Sequence, residues 1–234
     1  MQSGKYDLAI NRYEESVAIY DDLNDTQGIA TQLRCRGEVK RLQGHCEQAK
    51  VLFQEALKTF KSIGDKFCSS RTITGLGRIA LYQDDYSQAI TLFQETLGFS
   101  RETKNRNDIA QALYLLGLGK LAHGEVNTAS QHFTECLNIG QEIGNTEYIL
   151  AALDGMARVA LSQNKLLSAA MLFAAKEALR SELRITLSPI DQAELDQYLS
   201  TLQTRLNKSD YQTAINEGRI LTLEQSIKLA IQQG

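Results

Sequence analysis

Residues able to do chemistry are scattered through this chain. The four cysteines, Cys35, Cys46, Cys68 and Cys136, make no C-x-x-C pair. The close spacing of a zinc or redox site is therefore missing, and the pattern favours reduced thiols that pack as small hydrophobes. His45, His123 and His132 fall in different segments, which fits surface imidazoles better than a metal site or a pH switch. The acid pairs Glu14-Glu15 and Asp84-Asp85 would need a pocket to act as general acid and base. Asp84-Asp85 instead suits the positive end of a helix. Gly75-Leu76-Gly77 and Gly117-Leu118-Gly119 open like a dinucleotide fingerprint, but that fingerprint follows a strand. Both lie within a helical pattern, where glycine serves packing. The motifs G-x-x-x-x-G-K-S/T, G-x-S-x-G and H-E-x-x-H do not occur. These observations predict no enzyme, no cofactor and no metal. What remains is arginine at helical spacing, as at Arg34, Arg41, Arg71, Arg78 and Arg158. Its guanidinium receives carboxylate or phosphate through paired hydrogen bonds.

The elements that would carry those arginines are helices. The chain has 234 residues, one proline (Pro189), no tryptophan and 16 dispersed glycines. So little proline excludes a Pro-rich linker or a collagen-like chain, argues against a loop-dense β-sandwich, and favours long helices. A hydrophobic fraction of 43% with 23% charged residues is that of a globular chain of one or two domains. The net charge of -3 and pI of 5.7 argue against nucleic-acid binding by general electrostatics, which goes with a pI above about 9. No apolar run reaches the roughly 18 residues of a membrane span. Lys5, Asp7, Arg12, Glu14 and Glu15 interrupt any signal-peptide core. The expected location is cytoplasmic.

A repeat organises the helices. Ala9, Ala49, Ala89, Ala129 and Ala169 are 40 residues apart. An aromatic follows four residues after each: Tyr13, Phe53, Phe93, Phe133 and Phe173. Four further on come Val17, Leu57, Leu97 and Leu137, with Glu177 as the exception. A turn former precedes each alanine by five: Gly4, Gly44, Asp84, Gly124 and Asn164. A second pair of columns runs through Leu33, Ile73, Leu113, Leu153 and through Gly37, Gly77, Gly117, Ala157. Each i, i+4 pattern marks one helix face. Turn signals at Asn24-Asp25, Gly64-Asp65, Lys104-Asn105 and Gly144-Asn145 separate the units. The spacing predicts helix A over 27–43, 66–82, 107–122 and 146–162. It predicts helix B over 5–22, 45–63, 85–103, 125–143 and 165–183. Small residues let A and B approach, the aromatic fills the gap beside them, and stacked pairs bury a continuous core.

This layout resembles the tetratricopeptide repeat, best in Leu113-x-x-Leu116-Gly117 followed by Ala129-x-x-x-Phe133. The period of 40 exceeds that family's usual value of about 34, so both helices are longer. The resemblance implies an all-α, right-handed superhelix over residues 1–187, with helix A lining its concave wall. The register then gives the outward positions: Thr31, Arg34, Glu38 and Arg41; Arg71, Thr74, Arg78 and Tyr82; Gln111, Tyr114 and Leu118; Asp154 and Arg158. Arginine outnumbers acid on this wall, which suits a protein or peptide partner with an acidic segment, or another domain of the same polypeptide. The alternative is an ordinary solvated face. The Asn and Lys columns of carboxylate-clamp members are not met, so a chaperone-tail receptor is not expected.

The two ends carry further expectations. Tyr6, Ile10, Tyr13 and Val17 of the first helix B lack a flank, which points to a fragment of a longer protein or to a dimer formed through that helix. Ser188-Pro189-Ile190-Asp191 starts a helix over about 189–206. A shorter helix over 209–217 is ended by Gly218, and Thr222 with Gln225 opens a last one. Residues 188–234 thus form a helical cap. Residues 169–180 and 211–224 resemble the C-terminal repeat region of bacterial STAND-type NTPase and LuxR-type multidomain signalling regulators. That resemblance implies a non-catalytic sensory arm of a signalling or transcriptional regulator; a free-standing adaptor is the other reading, and an unrecognised enzyme a remote third.

Overall fold

The computed structural model describes residues 12, 13, 16, 20, 22–187 and 189–233, with the side chains of 189–191 and 233 left aside. Gly4, Tyr6, Ile10, Val17 and Ser188 lie outside the described residues, and with them the expected dimer surface. The described chain is all-helical. Its first compact unit, Met1–Lys104, contains α1 (Thr26–Leu42), α2 (Cys46–Ser62), α3 (Lys66–Tyr82) and α4 (Tyr86–Glu102). The second, Asn105–Gly234, contains α5 (Arg106–Ala122), α6 (Val126–Glu142), α7 (Thr146–Ser162), α8 (Leu166–Glu182), α9 (Pro189–Arg205), α10 (Lys208–Arg219) and α11 (Leu223–Gln233). No described helix is long and apolar enough to cross a membrane.

The 40-residue period is two half-periods of equal construction. Each helix from α1 to α8 has 17 residues, and the turns before, between and after them each contain one left-handed residue. These fall at Asn24, Gly44, Gly64, Asp84, Lys104, Gly124, Gly144, Asn164 and Arg184, with φ from 54° to 89°. The residue closes the preceding helix through a backbone bond, as in Gly44 N–H to the Arg41 carbonyl at 2.9 Å. The next residue opens the following helix. Asp25, Asp65, Asn105 and Asn145 accept backbone N–H bonds at the starts of the A helices α1, α3, α5 and α7. Among the B helices Asp85 does so, whereas His45, Glu125 and Lys165 make no side-chain cap.

The two alanine and aromatic columns are the core. Ala49, Ala89, Ala129 and Ala169 are fully buried, as are Phe53, Phe93, Phe133 and Phe173. The glycines facing them have no room for a side chain. A Cβ on Gly77 would meet the Phe93 ring at 2.5 Å, and one on Gly117 would meet Phe133 at 2.5 Å. Gly75 and Gly155, from the next repeat, are as confined: a Cβ on either would run into the ring of Phe53 or Phe133. Phe53 therefore lies between Gly37 and Gly75, and Phe133 between Gly117 and Gly155. The G-x-G at 75–77 is a packing device, as its helical context predicts.

Beyond residue 187 the pairing changes. α10 packs along α8, and α11 packs on both α7 and α8. Gly218 does not end its helix: it is buried within α10, with the Met171 carbonyl 2.3 Å from where a Cβ would stand. Close helix contact, not a left-handed exit, is what requires glycine there. The expected capping box forms, with Thr222 N–H donating to Gln225 Oε1 at 2.8 Å and Gln225 N–H to Thr222 Oγ1 at 3.2 Å.

Candidate functional site on the A-helix face

The fold explains why the outward positions divide into two kinds. In the column of Arg34, Thr74, Tyr114 and Asp154, Thr74 and Asp154 meet the paired B helix 22 residues on. Thr74 and Asp154 are buried, at 8% and 6% exposure, so the expectation that they face solvent is corrected. The Thr74 hydroxyl donates to the Ser70 carbonyl at 3.0 Å and lies 3.4 Å from the Thr96 hydroxyl. Asp154 meets Lys176 at 2.7 Å. The column of Glu38, Arg78, Leu118 and Arg158, one turn later, is half-buried.

In the first unit arginines converge on one carboxylate. Arg41 grips Glu38 through two bonds, Nε to Oε2 at 3.0 Å and Nη2 to Oε1 at 2.7 Å. Burial pushes the Glu38 carboxyl up, but Arg41, Arg78 and Arg34 outweigh it and hold the group below its usual range. The Nε–H of Arg34 is buried and has no acceptor; its Nη2 lies 3.6 Å from the Cys35 thiol. Arg71 lies over the exposed Phe67 ring, 5.6 Å from its centroid. Tyr82 is largely exposed at the end of α3. Thr31 and Gln111 are half-buried on α1 and α5.

In the second unit the chemistry is consumed internally. Asp154 accepts from Arg158 Nε at 2.6 Å as well as from Lys176 Nζ. The rest of the Arg158 guanidinium reaches α9. Nη1 and Nη2 donate to the two oxygens of Glu194 at 2.6 and 3.1 Å, and Nη1 donates to the Tyr198 hydroxyl at 3.1 Å. Burial opposes the ionised Asp154, and Arg158 and Lys176 overcome it, so its carboxyl is held below the ordinary range. Tyr114, above this cluster in register, has its ring 6.0 Å from that of Phe133. Lys176, Glu194 and Tyr198 are absent from the sequence-based site. The signal for Lys176 is its column: Ala56, Thr96 and Cys136 occupy the same register, so a lysine there must find a buried acid.

No catalytic constellation assembles around either cluster. Among the described residues no group of three His, Cys, Asp or Glu is placed to hold a metal ion. A cleft among α2, α3 and α4, lined by Lys50, Leu76, Ile79 and Leu92 among others, encloses about 80 Å³. Small-molecule sites usually hold roughly 300 Å³ or more. The arrangement offers guanidinium groups on helix faces, suited to carboxylates on a partner chain.

Comparison with known proteins agrees with this construction. A tetratricopeptide repeat model matches residues 28–102. No curated protein matches the chain. Among solved structures, BtubC (BKLC) from P. vanneervenii superposes with a TM-score of 0.67 at 13% identity, over 92% of this chain and 89% of that one. The apo form of RapI superposes with a TM-score of 0.63 at 16% identity, over 99% of this chain and 70% of that one. At such identities the likeness is one of fold. Residues 28–102 thus match the tetratricopeptide repeat, within an all-α repeat fold similar to that of these two structures.

Proposed function

We propose that this chain is a non-catalytic protein-interaction scaffold that holds an acidic partner segment on the A-helix face of its first unit. The observation that carries the reading is the convergence of Arg34, Arg41 and Arg78 on Glu38, on a helix face that is only half-buried. Three guanidiniums meet one carboxylate there, which leaves the cluster with net positive charge. A carboxylate brought by a partner would balance it. Arg71 and Tyr82 flank the position with exposed cationic and aromatic surface. The tetratricopeptide match supports a protein or peptide as ligand.

The resemblance of residues 169–180 and 211–224 to the repeat region of STAND-type and LuxR-type regulators favours a sensory arm over a free-standing adaptor. Partner binding would then bias attached domains, which requires different affinities for their two states. Titration of a fluorescent decaglutamate peptide into the full chain tests the capture surface. Binding is expected, weakened roughly tenfold by Arg34→Gln with Arg78→Gln as charge-assisted bonds are lost, with unchanged far-UV circular dichroism and no binding of decalysine. Equal affinity for the variant would refute the surface.

A further inference from the structure

The attachment of α9 differs from that of every other helix in its unit. Between residues 192 and 205 only Leu195 and Leu202 are buried. The segment before it is non-helical over 185–187 and is tied back by Arg180, whose Nη1 donates to the Ile185 carbonyl at 2.5 Å. The polar contact of α9 with α7 is made by the Arg158 guanidinium. Arg158 takes the Glu194 carboxylate with two bonds and the Tyr198 hydroxyl with a third. Its plane also covers the Tyr198 ring, 4.8 Å from the centroid. That ring also stacks on Phe173 of α8, with centroids 5.4 Å apart and 16° between planes. One carboxylate and one phenol, four residues apart on a helix, thus supply the contact to Arg158 and Phe173. At the far end of α9, Arg205 Nη2 donates to Asn164 Oδ1, in the turn between α7 and α8, at 2.7 Å.

The receiving face is built independently of α9. Asp154 fixes Arg158 from within α7, and Lys176 of α8 fixes Asp154. Lys176 lies 3.6 Å from Glu177, which in turn pairs with Arg180. The guanidinium is therefore pre-aimed by buried partners, with its two terminal nitrogens presented to whatever helix lies against it. Phe173 is held beside it by the core column.

We propose that this α7–α8 face is a docking site for an acidic–aromatic helical segment, of which α9 is the resident and displaceable copy. A partner helix that presents a carboxylate and, four residues on, a tyrosine reproduces the Glu194 and Tyr198 contacts and takes their place. The inference deepens the scaffold reading and rests on it, but it concerns Arg158 rather than the Arg34 cluster.

The test uses the full chain and a labelled peptide of residues 189–206. Glu194→Lys with Tyr198→Ala releases the resident helix while leaving Leu195 and Leu202 unchanged. The peptide is expected to bind this variant at least tenfold more tightly than the unaltered chain. The same peptide carrying Glu194→Gln and Tyr198→Ala is expected to lose that gain, as is the released chain carrying Arg158→Met. Equal affinity for released and unaltered chains, or binding that ignores Arg158, would overturn the proposal. Doubling of the mass of the released chain would assign the face to a second copy and overturn it too. Hydrogen exchange on the unaltered chain provides a check that needs no variant: α9 amides must open before those of α8 and α10. Exchange of all three together would refute displacement. Decaglutamate binding to the first unit that survives such a result would leave the scaffold reading standing.

Discussion

At the residue scale the chain reuses one contact with different chemistry. The A-helix column at 74 and 154 meets the B-helix column at 96 and 176, which pairs two threonines in one repeat and an aspartate with a lysine in another. At Arg34 the register partner is Ala56, which offers no acceptor. Glycine is used where a phenylalanine ring leaves no room. Gly155→Ala drives a Cβ into Phe133 and should destabilise the chain by about 1–3 kcal/mol in urea unfolding, the usual cost of overpacking. Gly98→Ala, exposed with open space around it, should stabilise α4 by about 0.5–1 kcal/mol. Burial, with Glu135 nearby, pushes the Cys136 thiol up to about 12. Iodoacetamide at pH 8 should therefore leave Cys136 unmodified until the chain unfolds, whereas labelling of the folded chain at this position would contradict its burial.

At the element scale every helix from α1 to α8 is one 17-residue rod between left-handed turns. The A helices carry side-chain caps and three of the four B helices α2, α4, α6 and α8 do not. Lys165 begins α8 without one. Lys165→Asp supplies an acceptor for the free N–H groups and an anion at the positive helix end. It should raise stability by about 1 kcal/mol, read as a shift in the urea midpoint with no change in slope. An unchanged midpoint would mean that the start of α8 does not limit stability.

At the scale of the whole molecule, a half-buried ion pair at Glu38 and a buried one at Asp154 link stability to acid. Burial works against the ionised forms of Glu38 and Asp154, and arginine in one case, arginine and lysine in the other, holds each below its unfolded value. Groups with depressed values stabilise the fold above the unfolded range, about 3.9 for Asp and 4.3 for Glu. That contribution is lost as pH falls through the folded values. Stability measured by urea should therefore hold between pH 7 and about 5 and fall steeply below about 4. Asp154→Asn should be less stable at pH 7, because it strips charge from two buried cations, and should show a shallower decline in acid. A slope unchanged by the substitution would place the acid sensitivity elsewhere.

Much of the fold was legible in the sequence because its periodicity is a direct consequence of packing. Alanine and phenylalanine recur every 40 residues since each repeat buries the same contact, and Gly, Asn and Asp recur because each helix leaves through the same turn. Helix A at 66–82 and 146–162 is read from the pattern to the residue. The candidate site was only half legible. Arg34, Glu38 and Arg41 are placed together by helical spacing, since i, i+3 and i, i+4 neighbours share a face, and Arg78 joins them through the 40-residue register, one period after Glu38. The fate of Asp154 and Arg158 was settled by tertiary structure. Which partner a buried charge finds depends on α8 and α9 arriving beside α7, and no local spacing encodes that. Gly218 makes the same point: a glycine near a helix end looks like an exit, and only the Met171 carbonyl against it shows that it is a contact.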